Sequence, residues 1–331
     1  MVVWIMVLVC ATSDRSWRAG IPSGCVAIYA ASMRAVPAWI AVLVPFAISA
    51  CAVGESSLGA DERAPTAVAP ARARLHGHND YLQAVPLRRA LELGLGSVEA
   101  DVFLQDGELR VGHERWQLRA GRTLRALYLA PLRDHLAQHG EGALAADPAR
   151  PFVLLVDIKA DAEAVYRQLR AELAEFAPML TRFVDGRIER GAVTVILSGS
   201  RPRATLAAER ERLCALDGRL ADLDAQPPPP PALVPWISDA WSRVSDWTGV
   251  DELTADERAR IAALAARAHA QGRELRFWGA PDRPEAWQAL RDLGVDRIGT
   301  DRPAVAARWL DEATPVTTAG TRPVPRPADG R

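Results

Sequence analysis

Residues 151–176 read PFVLLVDIKADAEAVYRQLRAELAEF. The first half is a nearly continuous apolar run that ends at Asp157 and Lys159. A strand without polar alternation is buried on both faces, as the strands of a parallel sheet are. The second half, after Asp161, spaces its apolar residues as one face of an amphipathic helix. A buried strand followed by a covering helix is the unit of α/β architecture.

The same alternation extends in both directions. Upstream, ARLHGHN reads as a strand ending in polar residues, PLRRALELG as a helix opened by proline and closed by glycine, and SVEADVFL as a second strand. GELRVGHE is a short strand after a Asp-Gly turn, and TLRALYLAPLRDHLAQHG is mostly helical. Downstream come the buried strand GAVTVILSGS, a helix from about Arg203 to Cys214, and the strand-like ALVPWISDAW. A capped helix, TADERARIAALAARAHAQG, is followed by the strand RELRFWGAP and the helix RPEAWQALRDLG. VDRIGTDRP and AVAARWL close the series as strand and helix. Roughly seven or eight strand–helix units of this kind predict a TIM-type (β/α)8 barrel. A doubly wound open sheet is the alternative, but its GxGxxG phosphate turn after the first strand is absent.

Composition narrows the function. The chain has 331 residues, is 49% hydrophobic and 24% charged, and carries a formal net charge of −1. Without a basic block there is no footprint for nucleic acid. The cysteines are Cys10, Cys25, Cys51 and Cys214, with no CxxC spacing and no basis for a disulfide framework in the body.

The first 51 residues read as targeting sequence. Met33 to Cys51 places a methionine and an arginine before a short apolar run and a stretch of small residues, the order of a signal peptide. Its end, Ile48-Ser49-Ala50-Cys51, resembles the bacterial lipoprotein signal, which makes Cys51 the lipid-bearing residue. A plain secretory signal and a retained anchor are the alternatives, and Met33 is an alternative start. The expected organisation is a leader over 1–51, a tether over 52–71, the barrel over 72–312 and a disordered tail over 313–331. The expected location is secreted or in the cell envelope, held to the membrane through the lipid.

Polar residues collect where barrel strands deliver side chains to the C-terminal mouth. His76, His78 and Asn79 end the first strand. Glu99 and Asp101 lie two apart on the second, so they share one face. His113 follows the short hairpin, and Asp157 and Lys159 repeat the two-apart spacing. Two like charges on an inward face require a cation or basic partners. Oxygen ligands favour Ca²⁺ or Mg²⁺ over zinc. Asp157 reads as a further ligand or half of an internal ion pair, and Lys159 as a phosphate contact or the other half. His135 and His139, four apart without an HExxH pattern, belong to a solvated helix face, and His269 is equally unremarked.

The block HGHNDYLQAVPLRRALELGLGSVEADVFLQDGELRVGHE, residues 76–114, resembles the phosphatidylinositol-phospholipase-C-like phosphodiesterase superfamily, which includes the glycerophosphodiester phosphodiesterases. Its HNDY…SVEADV…VGH pattern is similar to the altered inheritance of mitochondria protein six-like branch, and LRFWGAP…LRDLGVDRIGTDRP is similar to the superfamily's closing segment. The resemblance spans Leu75 to Pro303. It implies a barrel enzyme that cleaves phosphoric diesters with a divalent cation, on a phosphodiester small molecule or a lipid head group. It implies His78 and His113 as general acid and base, with His76 as the alternative to His78. Glu99 and Asp101 become metal ligands, joined by Asp157 where the family usually has glutamate. Asn79, Lys159 and Trp278 become substrate contacts. Many diesterases of this group begin with His-Arg-Gly and a following Glu-Asn-Thr, which this chain lacks, so the glycerophosphodiester substrate does not carry over. The rival expectations are a non-catalytic envelope lipoprotein that binds a phosphorylated ligand, and a metal hydrolase of phosphomonoesters or sugars.

Overall fold

Eight parallel strands carry the fold. In the computed structural model they are β1 (Leu75–Gly77), β2 (Ser97–Gln105), β3 (Phe152–Ile158), β4 (Val193–Gly199), β5 (Cys214–Gly218), β6 (Trp236–Ala240), β7 (Glu274–Trp278) and β8 (Ile298–Thr300). Residues 71–144 and 150–313 are described. The leader with Cys51, the tether up to residue 70 and the tail from residue 314 lie outside the described residues. Among the described residues, no helix is long and apolar enough to cross a membrane.

Each strand pairs in parallel with the next in sequence, from β1 to β7, and β8 pairs with β1. The ring closes at its last seam through a single parallel bridge between Arg276 and Arg297. The short strand Glu108–Val111 folds back antiparallel on β2. This is the TIM-type barrel that the alternation predicts.

Strand periodicity explains what faces where. On β3, Leu154, Val156 and Ile158 join the large core under the helices, whereas Val153 and Leu155 pack with Ile196 and Trp236 in a separate cluster inside the ring. Two further along the same inward face stands Asp157, at the open end. On β2, Val98, Ala100 and Val102 belong to the outer core, which turns Ser97, Glu99 and Asp101 inward. The helix after β3, α1 (Ala162–Glu175), buries Val165, Tyr166, Leu169 and Leu173 against the sheet. Each such side chain contributes about 1.5–3 kcal/mol of burial.

One element differs from expectation. The run from Arg203 to Cys214 is not a single helix. The helix stops at Ala208; Glu211–Arg212 then adds to a small antiparallel sheet with Arg182–Val184 and Arg187–Glu189, and Cys214 opens β5. The hairpin of that small sheet turns on Asp185 and Gly186, both at positive φ, as an Asp-Gly turn requires. Cys214 is buried, and burial pushes its thiol up to about 12. It is an inert core residue.

Candidate active site

The inward residues at the C-terminal ends of β1 to β3 converge. Glu99, Asp101 and Asp157 each place a carboxylate oxygen within 4.8 Å of the others. The register sets this, because Asp101 pairs directly with Asp157 across β2 and β3. Gly199 on β4 makes room for them. A Cβ at that position would stand 2.2 Å from Asp157 Oδ1, and Gly199 has a φ of +64° that disfavours other residues.

Two cations offset part of this charge. Lys159 Nζ lies 2.9 Å from Asp101 Oδ2 and 3.5 Å from Asp157 Oδ1. Arg276, reaching across from β7, donates to Glu99 Oε2 at 3.0 Å. Burial opposes ionisation of Glu99, but Arg276 and the hydrogen bond from His76 outweigh it and hold the carboxyl well below its usual range. Burial pushes Asp157 up, and the charges of Asp101 and Glu99 add to that against the pull of Lys159.

Asp101 is fully buried and its two oxygens differ. Oδ2 accepts from Lys159, lies 2.8 Å from His113 Nδ1, and lies 2.8 Å from the Tyr81 hydroxyl. Oδ1 is buried with no hydrogen-bond partner among the described residues. A carboxylate oxygen left bare in a dry site is costly unless something fills the place. Three oxygen ligands, one of them bare, beside only two cations, fit a hard divalent cation. Ca²⁺ and Mg²⁺ suit this donor set equally.

The two histidines of the first strand are placed differently. His76 is completely buried beneath Glu99, with Nδ1 2.9 Å from Ser97 Oγ and Nε2 3.4 Å from Glu99 Oε2. Its ring stands edge-on to Trp236 at 6.0 Å. Burial, with Arg276 nearby, pushes its pKa down to about 3, so it is neutral. His78, just past β1, is half-exposed. Its Nδ1 is 2.7 Å from Asp301 Oδ1, and its Nε2 is 3.9 Å from Glu99 Oε2. His113 is exposed on the other flank, with Nδ1 on Asp101. In each of these two rings a carboxylate accepts a hydrogen bond from Nδ1–H, which leaves Nε2 open.

Asn79 sits at φ 47°, and its Oδ1 is 2.9 Å from the Tyr81 hydroxyl. Trp278 ends β7 at the mouth, where a cavity of about 90 Å³ is lined by His78, Arg276, Trp278, Thr300 and Asp301. Lys159 is turned onto the carboxylates. The structure thus brings together His76, His78, Asn79, Glu99, Asp101, His113, Asp157 and Lys159, and places Trp278 on the same rim. His139 is exposed and stacks on His135 away from the mouth, and His269 binds Asp296 at 2.7 Å. Sequence reasoning missed Arg276, Tyr81 and Asp301. Arg276 was detectable as the residue two before Trp278 on one strand face, Tyr81 as the tyrosine of HNDY, and Asp301 as the aspartate that ends the last strand's TDRP.

Residues 66–215 match the AIM6-like phosphodiesterase domain. The altered inheritance of mitochondria protein 6 homolog of Arthroderma benhamiae is 28% identical over 69% of this chain and 80% of its own length. The altered inheritance of mitochondria protein 6 of Eremothecium gossypii is 28% identical over 70% of this chain and 68% of its own. Among solved structures, an Oleispira antarctica phosphodiesterase in complex with the product sn-glycerol-3-phosphate aligns with 72% of this chain and 96% of its own, at 14% identity and a TM-score of 0.42.

Proposed function

Because this chain belongs to the AIM6-like branch of the phosphatidylinositol-phospholipase-C-like phosphodiesterase superfamily, we propose that it is a metal-dependent phosphoric diester hydrolase. The observation that carries the reading is the bare Oδ1 of Asp101 in a three-carboxylate cluster, with a solvent-reaching imidazole on each flank.

Glu99, Asp101 and Asp157 would hold the cation, which would supply polarisation of a phosphoryl oxygen and a lowered pKa for an attacking hydroxyl. His78 and His113 do the proton work. One Nε2 takes the proton of the attacking hydroxyl, from water or from the substrate, as its oxygen bonds to phosphorus. The other Nε2 gives a proton to the departing alkoxide as its phosphorus–oxygen bond breaks. Asp301 and Asp101 keep each Nδ1 protonated and each ring aimed. His76 is excluded from this role because it is buried and neutral; it positions Glu99. Tyr81 and Lys159 hold Asp101 in place through the oxygen that faces them. Asn79 and Trp278 line the approach of the diester.

The test is hydrolysis across a panel of phosphodiesters that includes bis-p-nitrophenyl phosphate, alongside the p-nitrophenyl monoester. Turnover of diesters that stops with chelator and returns with Mg²⁺ or Ca²⁺ is expected. Absence of turnover on every diester with either cation present would overturn the reading in favour of a binding protein. A preference for the monoester would overturn it in favour of a different hydrolase.

A further inference from the structure

Past the acidic cluster, the mouth changes character. The loops after β4 and β5 bring Arg201, Arg203 and Arg219 together with Asp217 and Asp222. Arg203 is spent on Asp222, with contacts of 2.6 and 3.2 Å. Arg219 gives one nitrogen to Asp217 at 3.0 Å and to the Gly218 carbonyl at 2.7 Å, and its guanidinium lies 4.7 Å over the Trp278 ring. Asp217 also accepts from Ser198 at 2.8 Å. Three guanidinium groups therefore face two carboxylates; Arg203 and Arg219 are hydrogen-bonded to them, whereas Arg201 makes no such bond and Asp217 Oδ1 is also without a partner among the described residues. The Nε and Nη1 of Arg201 are buried and have no hydrogen-bond partner among the described residues.

Two buried guanidinium nitrogens without partners are costly for a side chain that is otherwise only half-buried. Burial, with Arg219 beside it, pulls the pKa of Arg201 down from its ordinary value. Both effects are relieved by an anion. The place is next to the acidic cluster: Ser198, three residues before Arg201, pairs in register with Asp157. Beside Arg219 the mouth opens into a cavity of about 530 Å³, lined also by Asp239, Arg243 and Trp278, with Arg243 occupied by Asp239 at 3.1 Å.

We propose that Arg201 and Arg219 form a second anion subsite on the β4–β5 side of the mouth. The substrate is then a phosphodiester whose alcohol carries another phosphate or carboxylate. The scissile phosphate meets the carboxylate cluster while the distal anion meets the arginines, with the Trp278 ring packed against Arg219. This assignment deepens the diesterase reading and rests on it.

The experiment compares α,ω-alkanediol bisphosphates of three to six carbons with the matching monoalkyl phosphates, as inhibitors of bis-p-nitrophenyl phosphate turnover at saturating Mg²⁺. The protein is the full chain and its Arg201→Ala and Arg201→Met variants. A bisphosphate advantage on the order of 10-fold in the natural protein, lost in both variants, is expected. Monoalkyl phosphate inhibition stays unchanged. The melting temperature of Arg201→Met equals or exceeds that of the natural protein, because a half-buried charge with unpartnered nitrogens has been removed. A natural protein without the advantage, or variants that keep it, would overturn the subsite. Should the chain hydrolyse no diester, the diesterase reading fails on its own. Calorimetric binding of the same bisphosphates to the natural and Arg201→Ala proteins then still decides the subsite, by the same criterion.

Discussion

The two ends of the barrel handle buried charge in opposite ways. At the N-terminal end, Glu274 is held by Arg297 at 2.6 Å and Arg150 at 3.1 Å, and the Arg297 guanidinium lies 4.9 Å over Trp236. Burial opposes ionisation of Glu274, but Arg297 outweighs it and keeps the carboxyl low. Arg297 also donates to the Ala73 carbonyl at 3.1 Å, tying the residue just before β8 to the segment that leads into β1. That end is an ion-pair plug beneath a packed indole. At the C-terminal end, three carboxylates share Lys159 and Arg276, and Asp101 keeps a bare oxygen. Charge balanced within the chain holds the ring closed. Charge left unbalanced, in a place that chemistry can reach, marks the site.

If this division is right, substitutions at the two ends separate activity from stability. The largest effect belongs to the C-terminal end. His113→Ala lowers diester turnover by roughly 10²–10⁴-fold, the range for loss of a general acid or base. Because His113 is exposed, its melting temperature stays within about 2 °C of the natural protein. Asp101→Asn shows a loss of the same order and weakens cation stabilisation in a melt with and without Mg²⁺. Turnover left near the natural value by either change would remove the distinction between the ends.

The next effect belongs to the N-terminal end and reverses the pattern. Arg297→Met leaves the half-buried Glu274 with Arg150 as its remaining basic partner and costs about 3 kcal/mol, the low end for breaking a buried pair. For a barrel of this size that lowers the melting temperature by roughly 10 °C. Turnover per folded molecule is unchanged. Adding Glu274→Gln to Arg297→Met recovers part of the loss, because the uncompensated charge goes with it. Denaturant unfolding of the two variants measures both steps. A single variant as stable as the natural protein would show that the plug carries no weight.

How much of this was legible in the sequence follows from how local each signal is. The buried run Phe152–Ile158 and the helix after it announce a parallel strand and its cover, because each pattern is contained within about ten residues. Glu99 with Asp101, and Asp157 with Lys159, place themselves on the inward face by period two alone. β5 escaped because Cys214–Gly218 is short and follows a charged, alanine-rich run with helical character up to Ala208. Arg276 escaped for a different reason. Its partner Glu99 is 177 residues away, and no spacing rule connects strands on opposite sides of a ring. The choice between His76 and His78 was open because both face inward at the end of β1. Depth separates them: His76 lies below the carboxylates and His78 above.

Another carboxylate, Asp80, sharpens the comparison with a smaller effect. Asp80 is buried just outside the cluster and has no basic partner among the described residues. Its Oδ2 accepts from the Leu87 backbone N–H at 2.6 Å and from the Tyr128 hydroxyl at 3.0 Å. Leu87 sits at φ 61°, so this carboxylate pins a strained turn in the loop that follows His78 and Asn79. Burial pushes the Asp80 pKa up to about 6, against the two hydrogen bonds. In the unfolded chain it titrates near 3.8. Between these values the native state holds a proton that the unfolded state has released, so stability falls as pH rises from about 4 to about 6. Above pH 6 the loss is complete. Asparagine keeps the acceptor for Leu87 and Tyr128 and carries no charge. Asp80→Asn is therefore matched with the natural protein below pH 4 and more stable by about 1–3 kcal/mol at pH 7. Melting curves across that window read the difference directly. A gap that is constant with pH would show that Asp80 is not the group that titrates. A variant less stable at pH 7 would place the carboxylate with the plug, as a charge the fold depends on.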